Sequence, residues 1–201
     1  MTDKKSQTSV TRGSGLLEPF LAHLRAERAN KLIPKDLRQG RILDIGCGSY
    51  PYFLSHTSFS EKFSVDQQPP SRDYEEINWL VLDLNKIPQL PFEDNFFNVV
   101  TLLAVVEHLN PKMLVELLRE ANRVLKPGGI LLLTTPASWT DGILSLMAVL
   151  NLVSKEEIHE HVFTYTLPLL GWYFGAAGFP MENVRFGHFE FRMNLWATAK
   201  K

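Results

Sequence analysis

Three aspartates and two glycines carry the distinctive chemistry of this chain. Asp44 interrupts the apolar run Ile42-Leu43-Asp44-Ile45 near its end, immediately before Gly46-Cys47-Gly48. A carboxylate there is poor core filler, because a buried unpaired charge is costly. Gly46 and Gly48 let the backbone turn tightly and leave no Cβ in the way of a ligand. A strand running into a glycine loop and then a helix is where an open α/β sheet takes a nucleotide-like molecule. The acidic loop would repel a diphosphate; it suits a ligand with a cationic amine. Asp66 closes Phe63-Ser64-Val65-Asp66, about twenty residues beyond the glycines, the spacing at which nucleotide folds set a carboxylate on ribose hydroxyls. A carboxylate accepts both hydrogen bonds of a vicinal diol, and charge-assisted bonds are the strong ones. Asp83 stands near the end of a third run, Trp79-Leu80-Val81-Leu82-Asp83-Leu84.

Side chains able to move a proton lie further along. His108 follows a fourth apolar stretch that ends at Val106-Glu107. Its imidazole titrates near neutrality and can accept a proton from a hydroxyl or hold an amine unprotonated. His161 and Tyr165 precede a later helix and could play the same part. For each histidine a structural or surface role is an equal reading. Cys47 reads as small filler of the glycine turn rather than a nucleophile. A dinucleotide fingerprint would need a third glycine, where this chain has Pro51.

Positioning these groups requires a sheet. The short apolar runs at 42–45, 63–66, 79–84, 99–103 and 130–136 read as buried strands. Between them, residues 111–126 form a strongly amphipathic helix, with Met113, Leu114, Leu117, Leu118, Ala121, Val124 and Leu125 on one side. Lys126-Pro127-Gly128-Gly129 is expected to end that helix. Leu17, Phe20, Leu21, Leu24 and Ala29 mark an N-terminal helix stopped by Pro34. A late helix from about Thr166 to Ala177 and strands near 182–188 and 191–199 complete the alternation. Residues 1–14 are polar and expected to be flexible. The rest, 15–201, reads as one domain with an insertion at 137–163. Within that insertion residues 143–153 are apolar almost all round, which suits a lid over the ligand end of the sheet, a dimer contact or a core helix.

The order Leu43-Asp44-Ile45-Gly46-Cys47-Gly48, Asp66, Asp83, Phe97-Asn98-Val99-Val100, Glu107-His108 and Leu125-Lys126-Pro127-Gly128-Gly129 resembles class I S-adenosylmethionine-dependent methyltransferases. The likeness covers residues 40 to 136 and leans toward the small-molecule branch of ubiquinone and menaquinone type. It implies a three-layer, doubly wound α/β fold: a mainly parallel seven-stranded sheet with an antiparallel last strand. It implies S-adenosylmethionine as cofactor and S-adenosylhomocysteine as product. Carried over residue by residue, Asp44, Gly46, Cys47 and Gly48 would cradle the amino-acid end, and Asp66, with Gln67 beside it, the ribose. Asp83 would contact the adenine amino group, the Leu84 N–H a ring nitrogen, and Leu103 would line the cofactor from the fourth strand. The acceptor would be a small molecule or a lipid- or sugar-linked intermediate. Some relatives bind magnesium through Glu-x-x-Glu-His; Ala104 replaces the first acid here, so no metal is expected.

Composition narrows the alternatives. The 201 residues suffice for one sizeable core. A formal net charge of −1 without a long basic run disfavours nucleic acid as the main substrate. A single cysteine excludes an internal disulfide. No stretch reaches membrane-spanning length and no signal sequence is evident, so a cytoplasmic protein is expected, monomer or homodimer, with room for contact at a membrane surface. A nicotinamide-dependent oxidoreductase and a non-catalytic S-adenosylmethionine-binding protein remain the rival readings.

Overall fold

A computed structural model describes residues 17–140 and 163–201. Seven strands form one sheet in the order β3-β2-β1-β4-β5-β7-β6. They are β1 (Arg41–Ile45), β2 (Glu61–Asp66), β3 (Ile77–Val81), β4 (Phe97–Leu103), β5 (Leu125–Pro136), β6 (Val184–Phe189) and β7 (Asn194–Lys200). The first five run parallel, and β7 enters antiparallel between β5 and β6. Helices α1 (Glu18–Leu32), α2 (Tyr52–Ser55), α3 (Pro111–Val124) and α4 (Leu167–Ala176) cover the two faces.

Alternation along the strands sorts the core into two layers. Ile42, Val99, Ile130 and Leu132 pack with Ala26 and Ala29 of α1, Ile33 just beyond its end, and Phe53 and Leu54 of α2. Leu43, Ile45, Val100, Leu102, Leu131 and Leu133 pack on the other face, against Leu114, Leu117 and Leu118 of α3 and Leu170 and Phe174 of α4. Both faces being covered explains why these strands read as nearly unbroken apolar runs. The order in which strands are added reverses across the sheet between β1 and β4, so their C-terminal ends flank the switch point of the sheet, the usual ligand site of such folds.

Three expectations shift. The third strand ends at Val81, so Asp83 and Leu84 lie in the turn beyond it. Lys126-Pro127-Gly128-Gly129 does not precede the fifth strand but bulges within it: Leu125 already pairs with Phe97, and the ladder resumes at Ile130 opposite Val99. The insertion is described only as far as Thr140 and again from Phe163, so residues 143–153 and His161 lie outside the described residues. Of its near end, Ser138–Thr140 makes a 3-10 turn and Ala137 bridges to Tyr165.

Candidate functional site

The C-terminal ends of β1, β2 and β4 bring together the first two acids and the glycine loop. Asp44 and Thr101 are register partners on neighbouring strands and share the α1–α2 face. The Thr101 hydroxyl donates to Asp44 Oδ1 at 2.6 Å. Asp44 is only 3% exposed. Burial pushes its carboxyl up to about 7, against the hydrogen bond from Thr101, while the nearby Asp66 charge pushes the same way as burial. An acid held at the edge of ionisation is one whose charge a cationic ligand could stabilise.

Gly46 and Gly48 both have positive φ, +74° and +69°. The turn is pinned to β2 twice: Gly46 N–H donates to Val65 O at 2.7 Å and Gly48 N–H to Asp66 Oδ2 at 2.8 Å. Asp66 Oδ1 accepts the Gln68 N–H at 2.9 Å, and the Asp66 side chain is buried while Gln67 is exposed. The two glycines are not equivalent. A Cβ on Gly46 would stand 2.5 Å from Val105 Cγ2, so that glycine serves close packing. A Cβ on Gly48 would meet no atom within 4 Å, so that glycine faces open space at the lip of the loop. Cys47 turns inward, with Sγ 2.6 Å from Ser64 Oγ. Burial and the charges of Asp44 and Asp66 push its thiol up, which leaves it protonated and unsuited to nucleophilic attack.

The third acid sits in a different setting. Asp83 Oδ1 accepts the Asn85 N–H at 3.1 Å, and Oδ2 is 3.0 Å from the Lys86 ammonium. The side-chain hydrogen bond from Lys86 is the main cause of a lowered carboxyl pKa. Leu84 buries its side chain in the core, and among the described residues its N–H has no acceptor. Asn85 then reaches across to the turn after β4: its Nδ2 donates to His108 O and its Oδ1 accepts the Asn110 N–H. The loop after β3 and the turn that carries His108 are therefore one connected rim.

That turn rests on a buried polar cluster. Ala104, at the end of β4, has φ +57°, and its N–H donates to both Thr134 O and Thr134 Oγ1. Such a backbone is uncommon for a residue with a Cβ. Leu103, just before it, is half-buried against the α1–α2 side. Val106–His108 form a 3-10 turn in which Glu107 is buried and His108 half-exposed. Thr135 Oγ1 donates to Glu107 Oε2 at 3.1 Å. Tyr165 is fully buried, and its hydroxyl donates to Val106 O at 3.0 Å. Burial, then Tyr173 and Glu107, push its phenol up, so it stays a donor. Tyr165 thus buttresses the turn that carries His108. Among the described residues no cluster of three or more His, Cys, Asp or Glu is arranged to hold a metal ion.

Thr101, Thr134, Thr135 and Val105 were not singled out from the sequence. A hydroxyl inside an otherwise apolar strand, as in Val99-Val100-Thr101-Leu102, was the available signal, since it must find a partner when buried.

A family model described as "Methyltransferase domain" matches residues 17–184. Among solved structures, a chain in the complex between the Haloferax volcanii Trm112 methyltransferase activator and a methyltransferase superposes with a TM-score of 0.71 at 17% identity, over 92% of this chain and 91% of that one. A SAM-dependent methyltransferase from Archaeoglobus fulgidus gives 0.64 at 18% identity, over 90% and 94%. One from Thermotoga maritima gives 0.67 at 17%, over 92% and 91%. No curated protein matches the chain.

Proposed function

Because this chain belongs to the methyltransferase-domain family, whose class I members use S-adenosylmethionine, we propose that it methylates a small molecule or a lipid- or sugar-linked intermediate, holding the cofactor at the Asp44–Gly48 loop. The observation that carries this is the closure of the loop onto β2, with Gly48 N–H on Asp66 Oδ2, beside a buried acid and beneath open space. A cationic amino-acid end fits a site flanked by two carboxyl groups and a protonated thiol; a dinucleotide's diphosphate does not. The residues present therefore suit S-adenosylmethionine and argue against a nicotinamide dinucleotide.

When bound, that cofactor supplies an electrophilic methyl group on a sulfonium with a good leaving group already in place. The protein's part is then to orient the reactants and exclude water. In this reading Asp44 takes the amine, with Gly46, Cys47 and Gly48 supplying a close backbone. Asp66 uses its remaining lone pairs on the ribose hydroxyls, with Gln67 at the exposed edge. Asp83 and the Leu84 N–H offer an acceptor and a donor to the base, and Leu103 closes the apolar side. His108, half-exposed on the rim, is the group that would take a proton from an acceptor hydroxyl or amine. Tyr165 acts as a positioning residue for that turn. His161 is the second candidate for the proton.

Calorimetry with S-adenosylhomocysteine tests the cofactor assignment: binding should be clear, NAD should not compete, and Asp66→Ala should weaken it. Unchanged affinity in that variant would remove Asp66 from the site. A screen of acceptors with labelled cofactor tests the substrate class.

A further inference from the structure

The β6–β7 connection is unusual in conformation, exposure and charge. Glu190, Phe191 and Arg192 have φ of 51°, 53° and 69°, three successive left-handed residues with no glycine or asparagine among them. Turns that need positive φ ordinarily use those residues. The conformation is held from several sides. Met193 N–H donates to Glu190 O, Ala137 N–H to Met193 O, and Asn194 Nδ2 to the Glu190 carboxylate. The Trp139 indole N–H donates to Arg192 O at 3.2 Å. What this geometry presents is Phe191, 98% exposed, beside Trp139, 55% exposed. Phe163, also exposed, is close by through Tyr165, which bridges to Ala137.

The tip lies at the C-terminal end of β5, where Pro136 pairs with Asn194. It therefore stands at the same end of the sheet as Asp44, Asp66 and His108. Arginines surround it. Arg192 is exposed; Arg28 of α1 donates to His188 O and lies over the Phe189 ring; burial pushes the Glu190 carboxyl up, and the Arg25 charge pulls it down. The tip's own acid, Glu190, is turned toward Asn194 rather than outward.

We propose that Phe191 and Trp139, flanked by Arg192 and Arg28, dock the protein on an anionic lipid–water interface, with the ligand end of the sheet toward the lipid. A protein partner would need a pocket shaped to receive a ring on a protruding turn. A bilayer interface takes a protruding ring without shape complementarity. Aromatic side chains beside arginines are the usual chemistry of such an anchor. The apolar ring gains by leaving water, and the cations gain from the negative surface potential of anionic headgroups. This goes beyond the methyl-transfer reading and does not depend on it, since vesicle binding requires neither cofactor nor acceptor.

The test is flotation of the full chain with vesicles of phosphatidylglycerol mixed with phosphatidylcholine, against vesicles of phosphatidylcholine alone. Wild type should float with the anionic vesicles and be released by added salt, as screening shortens the reach of the cations. The double variant F191S/W139S should bind at least about tenfold more weakly, and Phe191→Ser alone, which leaves the Trp139 bond to Arg192 O in place, should also weaken binding while its S-adenosylhomocysteine affinity and thermal unfolding stay near wild type. Arg192→Glu should reduce binding to the anionic vesicles. The fluorescence difference between wild type and Trp139→Phe should shift to the blue when vesicles are added. Failure of wild type to bind, or a double variant that binds equally well, overturns the proposal. So does a concentration-dependent dimer abolished by F191S/W139S in the absence of vesicle binding, which would make a second copy the occupant.

Discussion

Replacing Asp44 by asparagine should make the cofactor-free protein more stable at alkaline pH and not at acid pH. In the fold, burial favours the protonated carboxyl and Asp66 adds to this; only the Thr101 hydroxyl works the other way. A carboxyl raised from 3.8 to about 7 corresponds to ~4 kcal/mol of unfavourable ionisation within the native state. Between about pH 4 and pH 7 the native state holds more protons than the unfolded chain, so this group's contribution to stability falls as pH rises through that window. Asparagine removes the ionisation and keeps an oxygen to accept from Thr101, but its amide needs a partner, at a cost of roughly 1–3 kcal/mol if it finds none. The net gain near pH 8 should be about 1–3 kcal/mol, or roughly 3–10 °C in melting temperature for a domain of this size. Urea unfolding of both proteins at about pH 4 and about pH 8 isolates the effect, because other titrating groups cancel in the difference. A variant destabilised near pH 8, or a difference that does not change with pH, would refute the reasoning. The same substitution should weaken S-adenosylhomocysteine binding, and in wild type that binding should release protons near pH 7, as the cationic ligand draws Asp44 into its ionised form.

Other expectations follow from the same geometry. Gly46→Ala should destabilise the fold by about 2–3 kcal/mol, since its Cβ meets Val105; Gly48→Ala should cost only the left-handed strain of about 1 kcal/mol while losing cofactor affinity, and thermal melts beside calorimetry separate the two. Asp66→Ala removes the acceptor of both the Gly48 and Gln68 N–H groups; cofactor binding should fall at least about tenfold. His108→Ala should lower the methyl-transfer rate roughly 10²–10⁴-fold if it takes the proton, with cofactor affinity retained; full rate in that variant would move the role to His161. Tyr165→Phe should cost about 0.5–1.5 kcal/mol in urea unfolding by removing one of the two hydrogen bonds on the Val106 carbonyl, which keeps the Leu109 N–H, and a rate loss without that loss of stability would contradict its buttressing role.

Much of this was legible in the residues themselves. β1, β4 and β5 are covered on both faces, so their sequences are continuous apolar runs, and the polar interruptions at Asp44, Thr101 and Thr134 stand out against them. The edge of the sheet was less legible. In β3 the apolar run continues through Leu82, whose N–H still bonds to Asp66 O, but Asp83 then caps the following turn through Asn85. A run of apolar letters does not say where a ladder stops and a side-chain turn takes over. The bulge at Lys126–Gly129 looked like a turn because Pro-Gly-Gly is turn chemistry; pairing of Leu125 with Phe97, a tertiary contact, decided otherwise. Glu190-Phe191-Arg192 carried no left-handed signal, because that turn is imposed by Asn194, Ala137 and Trp139 rather than by local propensity.

The local costs are concentrated where the ligand would sit. Asp44 is buried at the edge of ionisation, Ala104 is held at positive φ, and two glycines spend their freedom on one turn, all at the ends of β1 and β4. Each is over-determined by something rigid: Thr101 on the neighbouring strand, Thr134 on β5, Val65 and Asp66 on β2. Backbone strain persists only where surrounding structure fixes it, and here the fixing groups belong to three parallel strands, β2, β4 and β5. The left-handed turn at 190–192 follows the same logic, yet its bonds run to the segment after β5 and not to the glycine loop. A sheet that supports two strained features at one end, a glycine loop beside buried acids and a protruding aromatic turn flanked by arginines, can bring a ligand and a surface to the same place without either requiring the other.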